Sequence, residues 1–572
     1  MNKDFGRRLV LCVFSVLITT TVAAAPKYIS SPSLDKVINT PVGKVQSGQE
    51  VNVPIITWGA DIRTIYANGN SSSTTSNSIF GKLGLKLKLQ RVDVFRQQVE
   101  DYLSGKSPYL RGTLGMINMA AEVTSRDGRT KPIIIYQLSE SAGGDALVVK
   151  PGIRRTKDLR GKTIALQAYG PHVDYLAQVL ADAGLGMADV NLKWLPDLTG
   201  SDNTPMAAFY EKDIDAAMVI IPDALALTSG GNVGTGSEDS VRGARILLST
   251  KTANKVIADV YAVRADYFDQ HRDEVQKFVH GLMKAQEKVH AVSKNKNSAE
   301  FRDMMQAGAG LLLDSKQAVS DTEALYADAD HVGYKGNIKF FTDKHYPRNF
   351  DRRNNSIQRA FKSIGLVARN TPLQHAGWNY PKLRAGLAAT SGPEQPRFHQ
   401  DKVNKVVTTR QQQGRLDEGA LISFEVYFKP NQKSFTPDHY SKEFDRVIEL
   451  ASTYGGAVIT VEGHSDPLGY LRKKKTGANS IVLRQITQSA KNLSYTRAAE
   501  VRDSIINYAK SKQVILDTSQ FALVGHGISA PKNGLCGSDP CAPKNENEWR
   551  ANMRVEFRLI QIEAESEVFK PL

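Results

Sequence analysis

From residue 50 to about residue 390, short apolar β-type runs alternate with amphipathic helical patterns, which predicts an α/β domain. From residue 420 the order becomes strand, helix, strand, helix, strand, strand, which predicts a second, smaller α/β sandwich. Residues 391–419 carry two prolines, a glutamine run and few large apolar side chains. They read as a linker, although the VNKVV segment within them can pair locally. A chain of 572 residues accommodates this division.

The N-terminus sets the compartment. Lys3, Arg7 and Arg8 outnumber Asp4 ahead of the apolar run LVLCVFSVLI (9–18), and Ala23-Ala24-Ala25 precedes Pro26. These are the three parts of a secretory signal peptide, predicted for residues 1–25. The apolar run is too short to span a bilayer comfortably, and no 18-residue apolar run elsewhere supports a polytopic membrane protein. Leu11 stands before Cys12 where a lipobox needs Gly or Ala, so Cys12 is expected to leave with the leader. The mature chain is therefore expected in the periplasm, without a transmembrane span. Residues 26–49, polar and punctuated by Ser and Pro, form an N-terminal arm.

Cys536 and Cys541 are the cysteines of the mature chain, in the loop-like stretch GLCGSDPCAP. In an exported protein they read as one disulfide closing a small loop. Metal ligation there would need two further partners, and no nearby His or Cys cluster supplies them.

The composition is that of folded, soluble material, with 41% apolar and 23% charged residues, which excludes a disordered or collagen-like chain. Lys and Arg exceed Asp and Glu by 74 to 59, a net +15. Of this, +2 belongs to the leader and +9 to residues 26–390, while residues 421–572 hold 20 basic against 17 acidic residues. The excess is diffuse except for Arg472-Lys473-Lys474-Lys475. A nucleic-acid binder concentrates its charge and interleaves aromatics, so no nucleic-acid partner is expected. The basic first domain favours an anionic solute.

Several strands of that domain end in polar turns. VNVPIITWGAD (51–61) is a strand running into such a turn; GTLGMINMA (112–120) and DALVVK (145–150) are further β runs. KTIALQ (162–167) leads into a helix opened by Gly170-Pro171, with Val173, Leu176, Ala177 and Leu180 on its apolar face and Gly184 as its stop. DIDAAMVIIPDA places a buried strand before Pro222-Asp223. VIADVYAVR (256–264) precedes a helix from Asp266 with Phe278, Leu282 and Ala285 inward. Ligands of open α/β sheets sit beyond the carboxyl ends of strands. That rule singles out Trp58, Asp61, Asn118, Gln167, Tyr169, Gly170, Asp223, Asp259 and Tyr261 as one solute cleft. Each alone reads equally well as a strand-end turn residue.

The stretch DALVVKPGIRRTKDLRGKTIALQAYGPHVDYLAQVLADAGL, followed by DIDAAMVIIPDA and WNYPKL (378–383), resembles the nitrate/taurine-type periplasmic solute-binding proteins. The resemblance covers residues 51–390 and implies a two-lobed periplasmic-binding-protein fold closing over a small solute. It implies no cofactor, no metal and no catalysis. SGGNVGTGSEDSVRG (229–243) departs from it as an insertion, and Ser237 follows Gly236 where a phosphate loop needs Lys. The cysteine-rich motif with which a relative of this fold makes a thiamine pyrimidine has no counterpart in the domain. No Ser/His/Asp, His-Glu-x-x-His or paired-carboxylate pattern emerges, and His172 reads as an ordinary polar residue.

In the second domain, LISFEVYFKP is a strand and Thr436-Pro437-Asp438 a helix start, with Phe444, Val447, Ile448 and Ala451 inward. AVITVEGHSD is a strand, LSYTRAAEVRDSIINYAKS a helix, and FALVGHG and MRVEFRLIQ complete the sandwich. EGHSD, LSYTRAAEV and NMRVEF, in that order, resemble the motifs of the OmpA-like peptidoglycan-binding domain over residues 420–563, leaving a tail at 564–572. The resemblance implies that Asp466 and Arg497 bind the diaminopimelate of the peptidoglycan stem, supported by Asn552 and Arg554. The chemistry fits: an aspartate accepts from the ammonium of diaminopimelate and an arginine fork grips its carboxylate. The plain alternative is a structural salt bridge between loop and helix. Two departures stand out, an expanded basic loop at 470–492 and Ala490 in place of the usual Asn, with Asn492 displaced.

The expected protein is a periplasmic, cell-wall-associated solute-binding protein, not an enzyme, serving an ABC permease or an envelope sensor. An enzyme or effector, or a structural envelope linker on the same scaffold, is the alternative.

Overall fold

The computed structural model describes residues 25–46, 48–237, 239–388, 397–414, 416, 420–429, 437–536 and 539–560. Leader residues 1–24 and the tail at 564–572 lie outside the described residues. The arm carries α1 (Leu34–Val37). There follow β1 (Val51–Ile55), α2 (Asp61–Ala67), β2 (Leu87–Arg91), β3 (Tyr109–Thr113), α3 (Leu114–Thr124) and β4 (Pro132–Ser141). Next come β5 (Asp145–Val149), β6 (Thr163–Gln167), α4 (His172–Asp182), β7 (Asn191–Leu195), β8 (Ala216–Ile220) and β9 (Arg245–Ser249). The chain then passes through β10 (Ala258–Arg264), α5 (Arg272–Ser293), β11 (Ala329–His331) and α6 (Phe350–Ser363).

These elements build two lobes. In the first, β11, β4, β10 and β3 lie side by side, and the parallel pair β1–β2 lies against β3. In the second the order is β7, β6, β8, β5, β9. The chain crosses between them after β4 and again between β9 and β10. At the first crossing the Trp58 ring packs against the backbone at Gly144. A Cβ on Gly144 would lie 2.6 Å from that ring, so only glycine fits there.

The apolar run at 114–120, read from sequence as β, is helical. Thr113 Oγ1 accepts from Met116 N at 3.1 Å, which ends β3 and caps α3 in one residue. Every residue of α3 is buried. A run apolar on all sides has no period to read, so strand and helix look alike in sequence.

The arm ties the lobes together. Ile29 N bonds Trp194 O at the edge of the second sheet, and Tyr28 Oη donates to Glu211 at 2.6 Å. Further on, Leu34 and Ile38 are fully buried, α1 packs on α3, and Arg126 of the first lobe pairs with Asp35.

The C-terminal body comprises α7 (Gln400–Gln412), β12 (Ala420–Tyr427), α8 (Ser441–Thr453), β13 (Val458–His464), α9 (Leu468–Lys475), α10 (Ser480–Ser511), β14 (Phe521–Gly527) and β15 (Arg554–Ile560). Its sheet runs β12, β15, β13, β14, and Cys536 and Cys541 form the expected disulfide. Two readings from sequence change here. VNKVV is not β but part of α7, whose Val403 and Val407, four apart, bury against Val458 and Val524. The basic segment at 470–492 is largely helix, not loop: Asn479 caps α10 by accepting from Val482 N at 3.0 Å.

Described residues of the two bodies are in contact. Lys255 N bonds Thr453 O at 3.2 Å and Gly456 N bonds Thr252 O at 3.1 Å, on the second crossing between lobes. Asp182, buried at the end of α4, accepts from Tyr454 Oη at 2.9 Å and pairs with Arg446 at 3.1 Å. A carboxylate taken out of water in this way needs those partners from the other body.

Candidate functional site

The cleft lies where both lobes present the carboxyl ends of strands. On the first lobe a chain of buried polar groups runs inward from Trp58. Trp58 Nε1 donates to Ser139 Oγ at 3.1 Å, and Ser139 Oγ donates to Asp259 Oδ2 at 2.7 Å. Arg111 donates to Asp259 Oδ1 at 3.0 Å and grips Asp61 through Nη2 at 2.8 Å and Nε at 3.1 Å. Burial pushes the Asp61 carboxyl up to about 6 even with the guanidinium opposing it. Arg63, close by, adds a second positive charge that favours the carboxylate.

On the second lobe, Asp145 holds three elements together. Its Oδ1 lies 2.7 Å from His172 Nε2, and its Oδ2 accepts from Ser141 Oγ at 2.6 Å. Thr250 Oγ1 accepts from the backbone N of Gly143 and of Asp145, each at 3.1 Å. Serine here bonds the aspartate and not the histidine, so the three side chains do not form a nucleophile–base relay.

Asp174, in the first turn of α4, faces the first turn of α3 across the lobe boundary. A Cβ on Gly115 would lie 2.5 Å from Asp174 Oδ1, so glycine makes room for the carboxylate. Both Asp174 oxygens are buried without a hydrogen-bond partner, as are His172 Nδ1 and Glu140 Oε2. Burial raises Asp174 to about 7, against the pull of Arg353, Arg348 and His172. Asp223 is raised to about 6 by burial, with His172 opposing, and Asp328 to about 6 by burial and by Asp145. The lining is thus rich in carboxylates held partly protonated by burial.

Of the residues chosen from sequence, Trp58, Asp61 and Asp259 fall in one connected network. Tyr169 stands at the mouth with φ +57°, a left-handed conformation that a side chain seldom adopts, and its Oη donates to Pro32 O of the arm at 2.6 Å. Gln167 donates to Pro196 O at 3.4 Å beside Gly170, and Asp223 opens the following helix near His172. Asn118 and Tyr261 are placed differently. Asn118 lies within α3, bonded to Leu114 O and Gln358, and Tyr261 is buried against Phe278 with its hydroxyl on Pro54 O. Asn118 is held inside α3, whereas Tyr261 lies beside the first-lobe network, its ring under the Arg111 guanidinium at 5.8 Å. Sequence reasoning passed over Arg111, Ser139, Asp145, His172 and Asp174. Arg111 had a signal, a lone cation inside the apolar strand YLRGT.

In the C-terminal body, Asp466 accepts from Leu468 N at 2.9 Å and remains half-buried. Arg497 donates to His464 O at 3.3 Å and stacks over Phe428 at 5.3 Å. Burial lowers the Arg497 pKa and the nearby Asp466 charge opposes that shift, so the two groups interact. Asn552 spends its side chain on the backbone of Lys532 and Asn533, and Arg554 pairs with Glu425 at 3.2 Å. These two hold the loop and the sheet. Among the described residues no helix is long and apolar enough to cross a membrane.

Residues 134–294, which include β5 to β9 and α4, match the family model described as NMT1/THI5 like. The chain is 30% identical over 178 residues to a taurine-binding periplasmic protein of Escherichia coli (strain K12), covering 31% of this chain and 49% of that protein. It therefore spans about half the length of that relative. Among solved structures it is similar to the alkanesulfonate-binding protein SsuA from Xanthomonas axonopodis pv. citri, at 16% identity and a TM-score of 0.38, over 57% of this chain and 98% of that one. It is similar to the nitrate-binding protein NrtA from Synechocystis PCC 6803 at 12% identity and a TM-score of 0.37, over 57% and 84%. It is also similar to the desulfurization enzyme DSZB at 16% identity and a TM-score of 0.36, over 58% and 99%.

Proposed function

We propose that the chain is a periplasmic solute-binding protein of the ABC-transporter type, with a cleft that takes a small zwitterion bearing an ammonium and a sulfonate-type anion. The observation that carries this reading is the buried lining at the lobe boundary, where Asp174, Asp223 and Asp328 sit raised by burial and Asp174 has no hydrogen-bond partner. An ammonium brought there satisfies the orphaned oxygens and repays their desolvation. The anionic half of the solute follows from the basic first domain and from the taurine-binding relative. Because bound ammonium favours the ionised carboxylates, affinity strengthens as pH rises through about 6 to 7. The absence of a nucleophile beside His172 in the described cleft favours binding over catalysis. Thermal unfolding with taurine, with ethanesulfonate and with simple amines tests the reading. Taurine should raise Tm more than ethanesulfonate, which lacks the ammonium. No shift with any of them would overturn it.

The same proposal gives the C-terminal body a tethering role through Asp466 and Arg497, which are close enough to interact and so to hold the zwitterionic carbon of diaminopimelate between them. Co-sedimentation with purified sacculi tests it. D466A or R497A should leave the protein in the supernatant while the fold persists. Unchanged sedimentation of a folded double variant would remove both residues from the role.

A further inference from the structure

The C-terminal sheet holds a cluster that neither the cleft nor the tethering role uses. Glu462 and His464 are two residues apart on β13 and so share a face. His526 lies on the neighbouring parallel strand β14, and Glu556 is directly opposite Glu462 on β15. Three adjacent strands thus bring two imidazoles and two carboxylates together.

The hydrogen bonds fix the chemistry of His464. Its Nδ1 lies 2.9 Å from Ala530 O, and a carbonyl only accepts, so Nδ1 carries the proton. Nε2 is then a bare lone pair, 2% exposed as a residue and without a hydrogen-bond partner. The charged atom it faces is Glu556 Oε2, at 3.8 Å. A lone pair opposite a carboxylate oxygen is repulsive until a cation stands between them. His526 stacks on His464 at 4.6 Å and 10°, with its Nε2 2.9 Å from Glu462 Oε2. Glu462 Oε1 is already held by Thr460 Oγ1 at 2.6 Å and by Arg558 Nε at 3.0 Å, which aims Oε2 at the imidazoles. The ligand atoms of Glu462, His464 and His526 all lie within 4.8 Å of one another.

We propose that Glu462, His464 and His526 form a site for a zinc-class divalent cation, with Glu556 as fourth ligand. Two imidazoles and carboxylates are the donor set zinc accepts, at bonds of about 2 Å, and small rotations of the two rings converge on it. The Nδ1–H to Ala530 carbonyl bond is the outer contact that metal-bound histidines make, fixing tautomer and ring angle. Arg558 holds Glu462 Oε1 and Glu556 Oε1, whereas Arg554 Nη2 lies 3.4 Å from Glu556 Oε2, so a cation on that oxygen takes the place of Arg554 there. Ligation through His526 Nε2 places the ring proton on Nδ1, so the metal takes the place of the hydrogen now shared with Glu462 Oε2. Since His464 O accepts from Arg497, an occupied site also stiffens the strand end that carries Asp466. Sequence spacing hides the cluster, because His464 and His526 meet only through strand pairing.

The test uses the untagged full chain, stripped with a chelator and titrated with Zn2+ against a chromogenic competitor. One zinc per chain is expected, with a rise in Tm. H464Q and H526Q should each weaken binding by at least about tenfold, whereas H345Q, at an exposed position, should not. In the unmutated chain, zinc should shift the imidazole resonances of His464 and His526 and leave those of His172 in place, a readout that needs no variant to fold. A folded chain that takes up no zinc, or zinc that shifts other histidines, overturns the proposal. So does a folded H464Q/H526Q double variant that binds zinc unchanged.

Discussion

The interlobe cleft and the C-terminal sheet solve the burial of charge in opposite ways. In the C-terminal sheet, carboxylates and guanidiniums alternate across strands: Glu462, Glu556 and Glu425 face Arg558, Arg554 and Lys532 in direct pairs. In the cleft, one cation, Arg111, serves two buried carboxylates, and Asp174 has no partner of its own. A paired network fixes a shape. An under-paired one leaves a demand for positive charge that a ligand can meet, and the proposed solute site rests on that difference.

The largest test of this contrast removes the shared cation. R111A leaves Asp61 and Asp259 facing each other in the first lobe, and we expect a loss of about 3–5 kcal/mol in denaturant unfolding. A comparable loss from R558A in the sheet would erase the distinction, because Glu556 and Glu462 retain other partners there.

A smaller effect probes the contact between the bodies. R446A takes one of three donors from buried Asp182, leaving Tyr454 and Gln178. It should cost roughly 1.5–3 kcal/mol, and calorimetry should resolve the two bodies as separate transitions. A single transition at the original temperature would show that the docking rests elsewhere.

The mildest lever is pH. Asp174 is raised to about 7 and Asp223 and Asp328 to about 6, above the ordinary aspartate value of about 3.9. The folded state holds those protons more tightly than the unfolded chain, so their contribution is fully present below about 4 and is lost as pH rises to about 7. Tm of the solute-free protein should therefore fall across that window, and D174N should flatten the slope. A rising Tm over the same range would contradict the burial of these groups.

Much of the C-terminal body was legible in sequence because its signals are local. The strand over 458–464 and the helix through LSYTRA show their patterns within a few residues, whereas the caps Thr113 and Asn479 went unread, the one before an apolar run and the other inside a basic one. The cleft was legible only in part. Trp58 and Asp61 follow from where β1 ends, whereas Asp259, Ser139 and Arg111 lie inside strands whose partners sequence does not name. Asn118 was misplaced because α3 looked like a strand, which moved it from a helix interior to a strand end.

By itself the sequence determined most of the alternation of elements and the cysteine loop, which act over short stretches of chain. Tertiary structure alone decided that α7 packs on the C-terminal sheet and that Asp182 borrows Arg446 and Tyr454 from the other body. It alone decided that the arm bridges the lobes and that His464 meets His526. The physical reason is common to all four. A buried polar group must find its partner in space, and burial, not spacing along the chain, sets what it needs.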